Sequence, residues 1–342
     1  MGKRRLALAG AICAQSFYCA QAAEIDSETS TPVSTSTIES GGPGDITITD
    51  DGSIEIESTD GVVALTLDSD NAVDIEGEIT LTTSDNSVGL LIEGGHAGSV
   101  SVSGSITQDD DYEREDTDDD DDDDGPYAEG EGRYGILLDS AGAFVGDIDI
   151  AGAIVVQGND SYGISLNSLL DGDFTLDGSI AVTGDNAVGI EINDGVTGDM
   201  RLSGAVSALG VDALGVSIRG DVGGGLTNEG SIISTGFAST SLTNYVAPAD
   251  VDDDTLPLDE RIDAEDLNDN RPALAIGGDI ADGFLNDGGI GETGRDGGRC
   301  MGDTGVGGTH RQTGGEHRRA SEDSNRSLHD CSLSRPLIEV PA

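Results

Sequence analysis

Apolar and polar residues alternate in short runs along most of this chain, and the runs recur. In DNAVGIEINDGVTGDMRLSGAVSALG (185–210), Val188, Ile190 and Ile192 fall on one side of an extended chain, and Gly189 and Glu191 on the other. Met200 and Leu202 flank an outward Arg201, and Val206 opens a third run. The lines NDSYGISLNSLLDGDFTLDGSIAVTG (159–184) and VDALGVSIRGDVGGGLTNEGSIISTG (211–236) align with it without a gap, at a period of 26 residues. Their inward sets are Tyr162, Ile164, Leu166, Phe174, Leu176, Ile180 and Val182, then Leu214, Val216, Ile218, Leu226 and Ile232. No single line can bury its apolar face, whereas stacked lines can. The pattern predicts an all-β fold: a parallel β-helix (β-solenoid) with three short strands in each coil of about 26 residues, successive coils hydrogen-bonded about 4.8 Å apart.

Three glycine columns mark the same period: Gly163, Gly189 and Gly215; Gly172, Gly198 and Gly224; Gly178, Gly204 and Gly230. They read as corners, where glycine takes positive φ at no steric cost and Asn or Asp is tolerated. Earlier lines at 134–158 and 85–107 keep the spacing with small changes, and two fainter lines lie upstream. Two stretches break it. Residues 108–133 and 237–270 lack alternation, are dominated by Asp and polar residues, and read as loops thrown out from one corner. The expected organisation is a Ser/Thr-rich linker at 24–40, coils at 41–107, an acidic insertion at 108–133, coils at 134–236, a second acidic insertion at 237–270 and a coil at 271–290. Residues 291–342 carry seven Arg, three His and two Cys without alternation. They read as an out-of-frame tail following loss of an upstream frame near Ile290, the alternative being a genuine disordered tail.

Charge narrows the choice of partners. The formal net charge is −51, and 59 of the 67 acidic side chains lie in residues 24–290 against six arginines. Nucleic acid and anionic membranes are excluded as partners, because both are held by Lys and Arg. The N-terminus has the form of a cleaved signal peptide over residues 1–23: a basic MGKRR, an apolar run, and Ala20-Gln21-Ala22 as the cleavage motif. The chain as written is thus expected in the periplasm or medium. Cys300 and Cys331 sit in the tail, so no disulfide framework supports the body.

Candidate chemistry is sparse. His96 lies on a turn, Arg201 and Arg219 face outward as isolated cations, and Glu191 and Asp194 read as outer-face polarity, so no catalytic residue and no cofactor are assigned. Asp120, Asp122, Asp124, Gly125 and Glu131 match D-x-D-x-D-G-x5-E, a calcium-loop spacing. A run of Asp that ends in Gly meets it by composition, and weak condensation of divalent cations is the expectation, with no specific metal site. DLNDNRP (266–272) has the spacing of a cadherin linker but no cadherin domain before it.

A signal peptide, coils such as AVGIEINDGVTGDMRLSGAV, acidic insertions and the phrase RPALAIGGDIADGFLN together resemble the N-terminal part of a Gram-negative autotransporter passenger domain, over about residues 1–290. The resemblance implies a right-handed parallel β-helix displayed at the cell surface and carried by an outer-membrane β-barrel. The terminal EVPA departs from the amphipathic, aromatic-ended strand of such a barrel. The resemblance further implies a non-catalytic, adhesin-like module meeting a surface ligand or matrix. The alternative class is a carbohydrate-active β-helix enzyme.

Overall fold

The structure, a computed structural model, describes residues 22–112, 126–236 and 271–293. Among these there is no helix. The strands stack into three long parallel sheets. The first holds nine strands, from Ala23–Ile25 to Phe284–Asn286; the second holds nine, from Glu28–Thr29 to Gly289–Thr293; the third holds eight, from Val33–Ser34 to Leu274–Ile276. Each coil visits the three in turn, so every strand pairs with its counterparts one coil before and after. At about 4.8 Å per step, nine strands make a stack about 40 Å long.

Register turns the sequence period into continuous columns. Ile48, Ile75, Val102, Ile150, Leu176 and Leu202 pair in succession. So do Ile106, Ile154, Ile180, Val206 and Ile232, and Ile136, Ile164, Ile190 and Val216. All are fully or almost fully buried in one core.

Several expectations need correction. Val188 and Leu214 are buried but lie outside the core cluster, and Tyr162 is only half-buried. Gly189 instead faces inward, since a side chain there would strike Val206 and the backbone oxygen of Gly215. Two successive inward positions, Gly189 and Ile190, displace the alternation by one before the strand continues. A fourth sheet of two-residue strands, Phe144–Val145, Leu170–Asp171, Gly195–Val196 and Asp221–Val222, was not anticipated. It buries Phe144, Leu170, Val196 and Val222. The residues read as a linker at 24–40 contain the first coil, with strands Ala23–Ile25, Glu28–Thr29 and Val33–Ser34. The last strand runs on through Thr293, three residues past the expected end of the coils, in register with Ser231–Thr235. Residues 1–21, most of the expected signal peptide, lie outside the described residues, as does the tail from 294.

The repeat glycines are explained by crowding. Gly52, Gly77, Gly104, Gly152, Gly178, Gly204, Gly230 and Gly288 form one column, and a Cβ on any of them would come within 3.0 Å of a backbone oxygen of the preceding coil. None of the nine glycines in the three sequence columns takes positive φ, contrary to their reading as left-handed corners. The left-handed corner belongs to another column, Gly61, Asn86, Gly132, Asp160, Asn186 and Asp212, where Asn and Asp accept φ of 49° to 57°. Each of the first five donates its amide to a carbonyl of the next coil, as in Asn186 N to Val211 O at 2.8 Å.

Gly204→Ala is therefore expected to destabilise the stack by about 3 kcal/mol, because two rigid backbones must separate. Gly204→Asn should be no milder, although Asn suits a left-handed corner. Gly289→Ala, with open space at its Cβ, should be nearly neutral. Thermal unfolding of the three variants checks the assignment.

Candidate functional site

Both acidic insertions leave and rejoin at one corner, between the second sheet and the third. The first departs after Ser105–Asp109 and returns at Tyr134–Asp139; the second departs after Ser231–Thr235 and returns at Leu274–Ile276. Four coil steps, about 19 Å, separate the two exits. Their bases meet: the Tyr127 hydroxyl lies 3.5 Å from the Gly236 carbonyl oxygen, and Tyr127 is buried.

Arg133 fastens the first insertion. Its guanidinium is buried and donates to the carbonyls of Ser84 (3.1 Å) and Gln157 (2.7 Å) and to Oδ1 of Asp85 (3.0 Å) and Asp110 (2.7 Å). Asp110 in turn accepts the amides of Glu129 and Gly130. One fork thus ties three coils and the returning arm together, which a flexible ammonium could not do. The part of 108–133 next to the coils is consequently built into the fold.

The same inward column of the second sheet turns polar at both exits. It runs Leu81, Gln108, Val156, Val182, Ala208, Ser234. Buried Gln108, held by the Ser87 hydroxyl, donates to the carbonyl of Tyr134, where the first insertion has returned. The single hydroxyl proton of buried Ser234 is shared between the carbonyls of Ala213 (2.8 Å) and Arg271 (3.0 Å), the latter where the second insertion returns.

Acidic side chains staple turns across coils. Oδ1 of Asp147 accepts the amide of Asp173, Asp173 that of Asp199, and Asp199 that of Gly225, at 2.7 to 2.9 Å. Asp45, Asp70, Asp185 and Asp221 do the same at other turns. These amides lie at the ends of the strand ladders or just outside them, and the carboxylate is the partner they lack there. At the N-terminal end, Asp68 accepts the hydroxyls of Ser34, Thr35 and Ser36 and the amide of Ser36. Burial opposes ionisation of Asp68, yet these donors prevail and hold its pKa below the ordinary 3.8.

The outward cations are not isolated. Arg201 bridges Asp177 in the coil before (2.9 Å) and Glu229 in the coil after (2.8 Å). With Ser203, it holds Glu229 below its usual range. Arg219 meets Glu191 at 2.8 Å and Asn193 at 2.9 Å. Glu191, expected to be solvated, is 6% exposed. Asp194 is exposed. His96 is on a turn as expected, with Nδ1 3.4 Å from Asp70. Tyr134 and Tyr162 stack with ring centroids 4.9 Å apart and planes 6° apart, and burial pushes both phenols up.

Asp120, Asp122, Asp124 and Gly125, four of the five residues of the calcium spacing, lie outside the described residues. Glu131 is exposed, with its amide on Asp85. Among the described residues no group of three His, Cys, Asp or Glu converges on a metal-sized site. No family model, curated protein or solved structure matches the chain.

Arg133→Met should cost about 3–5 kcal/mol, since it strands the buried Asp110 carboxylate, and Arg133→Lys should recover little of that loss in thermal unfolding. Because the Asp68 pKa is lowered in the folded state, its stabilisation is complete above 3.8 and fades as pH falls through the lowered value. Asp68→Asn should therefore be less stable than wild type at neutral pH, and the difference should shrink in acid unfolding curves.

Proposed function

We propose that this chain is an exported, non-catalytic passenger module of autotransporter type, a rod that holds acidic loops toward a surface ligand or matrix. The observation that carries the reading is the unbroken stack of parallel coils with both insertions leaving one corner. Such a stack gives length and stiffness at little cost in core volume, and both insertions leave and rejoin it at a single corner. The buried clamps at Arg133, Gln108 and Ser234 support the reading, because they fix where the loops emerge without distorting the stack. High negative charge keeps such rods soluble and apart.

A specific observation favours the second class, a carbohydrate-active β-helix. The Tyr134–Tyr162 stack lies near Glu191 and Arg219, and aromatic faces beside charged groups suit sugar rings.

Expression of the whole chain in a Gram-negative host distinguishes the readings. Export predicts loss of the leader, with a new N-terminus at Ala23 or Glu24 by mass spectrometry, and recovery from the periplasm or medium. Retention in the cytoplasm with an intact leader would overturn it. Release of new reducing ends or unsaturated sugars from a polysaccharide panel, abolished by Glu191→Gln, would select the second class.

A further inference from the structure

On the second sheet, the outward positions of Ala153–Gln157, Ser179–Thr183, Ala205–Leu209 and Ser231–Thr235 (AIVVQ, SIAVT, AVSAL, SIIST) carry no charge. The same face of the preceding coils carries Glu55, Glu57, Glu78 and Asp109, all exposed. In a chain of net charge −51, this neutral plateau is unusual in its placement. It begins on the coil after the first insertion leaves and ends on the coil from which the second leaves. Its central column runs Val155, Ala181, Ser207, Ile233 in register, with Val155 42% and Ile233 43% exposed.

We propose that this plateau docks an extended basic polypeptide segment: a short uncharged apolar stretch lying along the central column, with Lys or Arg placed to meet the carboxylates beyond its Val155 end and along its acidic edge. Size argues for a segment. Four strands of five residues make a face of about 300 Å², well below the roughly 800 Å² per partner of a stable globular interface. Charge argues for basic flanks and against a second copy. Two copies meeting here would bring their acidic rims together, whereas a cationic segment is drawn in by the same field. Along one edge stand exposed Asp160 and Asp212 with Asp185 between them, and Glu78 and Asp109 lie beyond the end of the column nearer Val155. The column spans about 14 Å, or four to five extended residues, which sets the length of the apolar stretch. Val155 and Ile233 supply its apolar contacts; the carboxylates stay hydrated until a cation arrives. The inference does not depend on export, since it concerns only this face.

The test uses purified full-length protein and a synthetic peptide in which alternating Val and Ser are flanked by paired lysines. A second peptide has the same composition with the lysines moved to its centre, and a third has glutamate flanks. Fluorescence anisotropy should show binding of the first alone, weakened about tenfold or more in Val155→Ser/Ile233→Ser and unchanged in Leu285→Ser, an exposed apolar residue of the first sheet. Both substitutions preserve charge and lie on the surface, so thermal unfolding should match wild type. Equal binding of the two lysine peptides, or equal affinity in the double variant, would reduce the effect to diffuse charge and overturn the proposal. So would absence of binding, or a dimer in sedimentation that the double variant dissolves.

Discussion

The stack depends on how closely one backbone approaches the next. Along the column from Gly52 to Gly288, each Cα sits against a carbonyl oxygen of the coil above, with no room for a Cβ. A strand ladder fixes the separation of coils at about 4.8 Å, and at the bend entering the second sheet the chain turns so that the Cβ direction points along the stacking axis. Any side chain there would push the hydrogen-bonded ladders apart. Glycine is therefore demanded by the neighbouring coil more than by local torsion. The demand repeats because every coil has a neighbour.

The same geometry gives the acidity a structural use. A turn leaves strand pairing, so its amides lose their ladder partners, and a buried or half-buried amide left alone is costly. Asp has a side chain short enough to reach the equivalent amide one coil away, as Asp147, Asp173 and Asp199 do in succession. Part of the negative charge is thus spent on inter-coil bonds. Where repulsion builds on the outer face, single arginines span three coils: Arg201 touches Asp177 and Glu229, one coil to either side.

Much of the architecture was legible because period and alternation are direct consequences of stacking. Ile164, Ile190 and Val216 fall in one column as the aligned lines require. The errors share a cause, which is that alternation assumes an undisturbed strand. At Gly189 two inward positions follow one another, so Val188 leaves the core cluster and Glu191 becomes buried against Arg219. The short strand Leu170–Asp171 is too brief to show a period. The first coil was hidden because Glu28–Thr29 and Val33–Ser34 are two-residue strands in a Ser/Thr-rich text. Arg133 carried one readable signal, a cation ending an acidic run, but nothing in a linear pattern brings Ser84, Asp85, Asp110 and Gln157 around it.

Apolar columns give strength but little register, since Ile over Val is nearly as good one coil away. That ambiguity matters most after a long detour, when the chain must rejoin the stack. Polar residues in the core occur at those places. Gln108 bonds the chain returning from the first insertion and Ser234 the chain returning from the second. Asn228, which follows Ile, Val and Leu in its column, donates to the next member, Asn286, at 2.7 Å across the second insertion. Its own Oδ1 is buried and finds no partner among the described residues. An apolar residue would avoid that penalty, yet it would accept any apolar neighbour; the amide bonds only when Asn286 arrives in register. The unpaired oxygen is what specificity costs at the step where the spacing of this column jumps from 26 residues to 58.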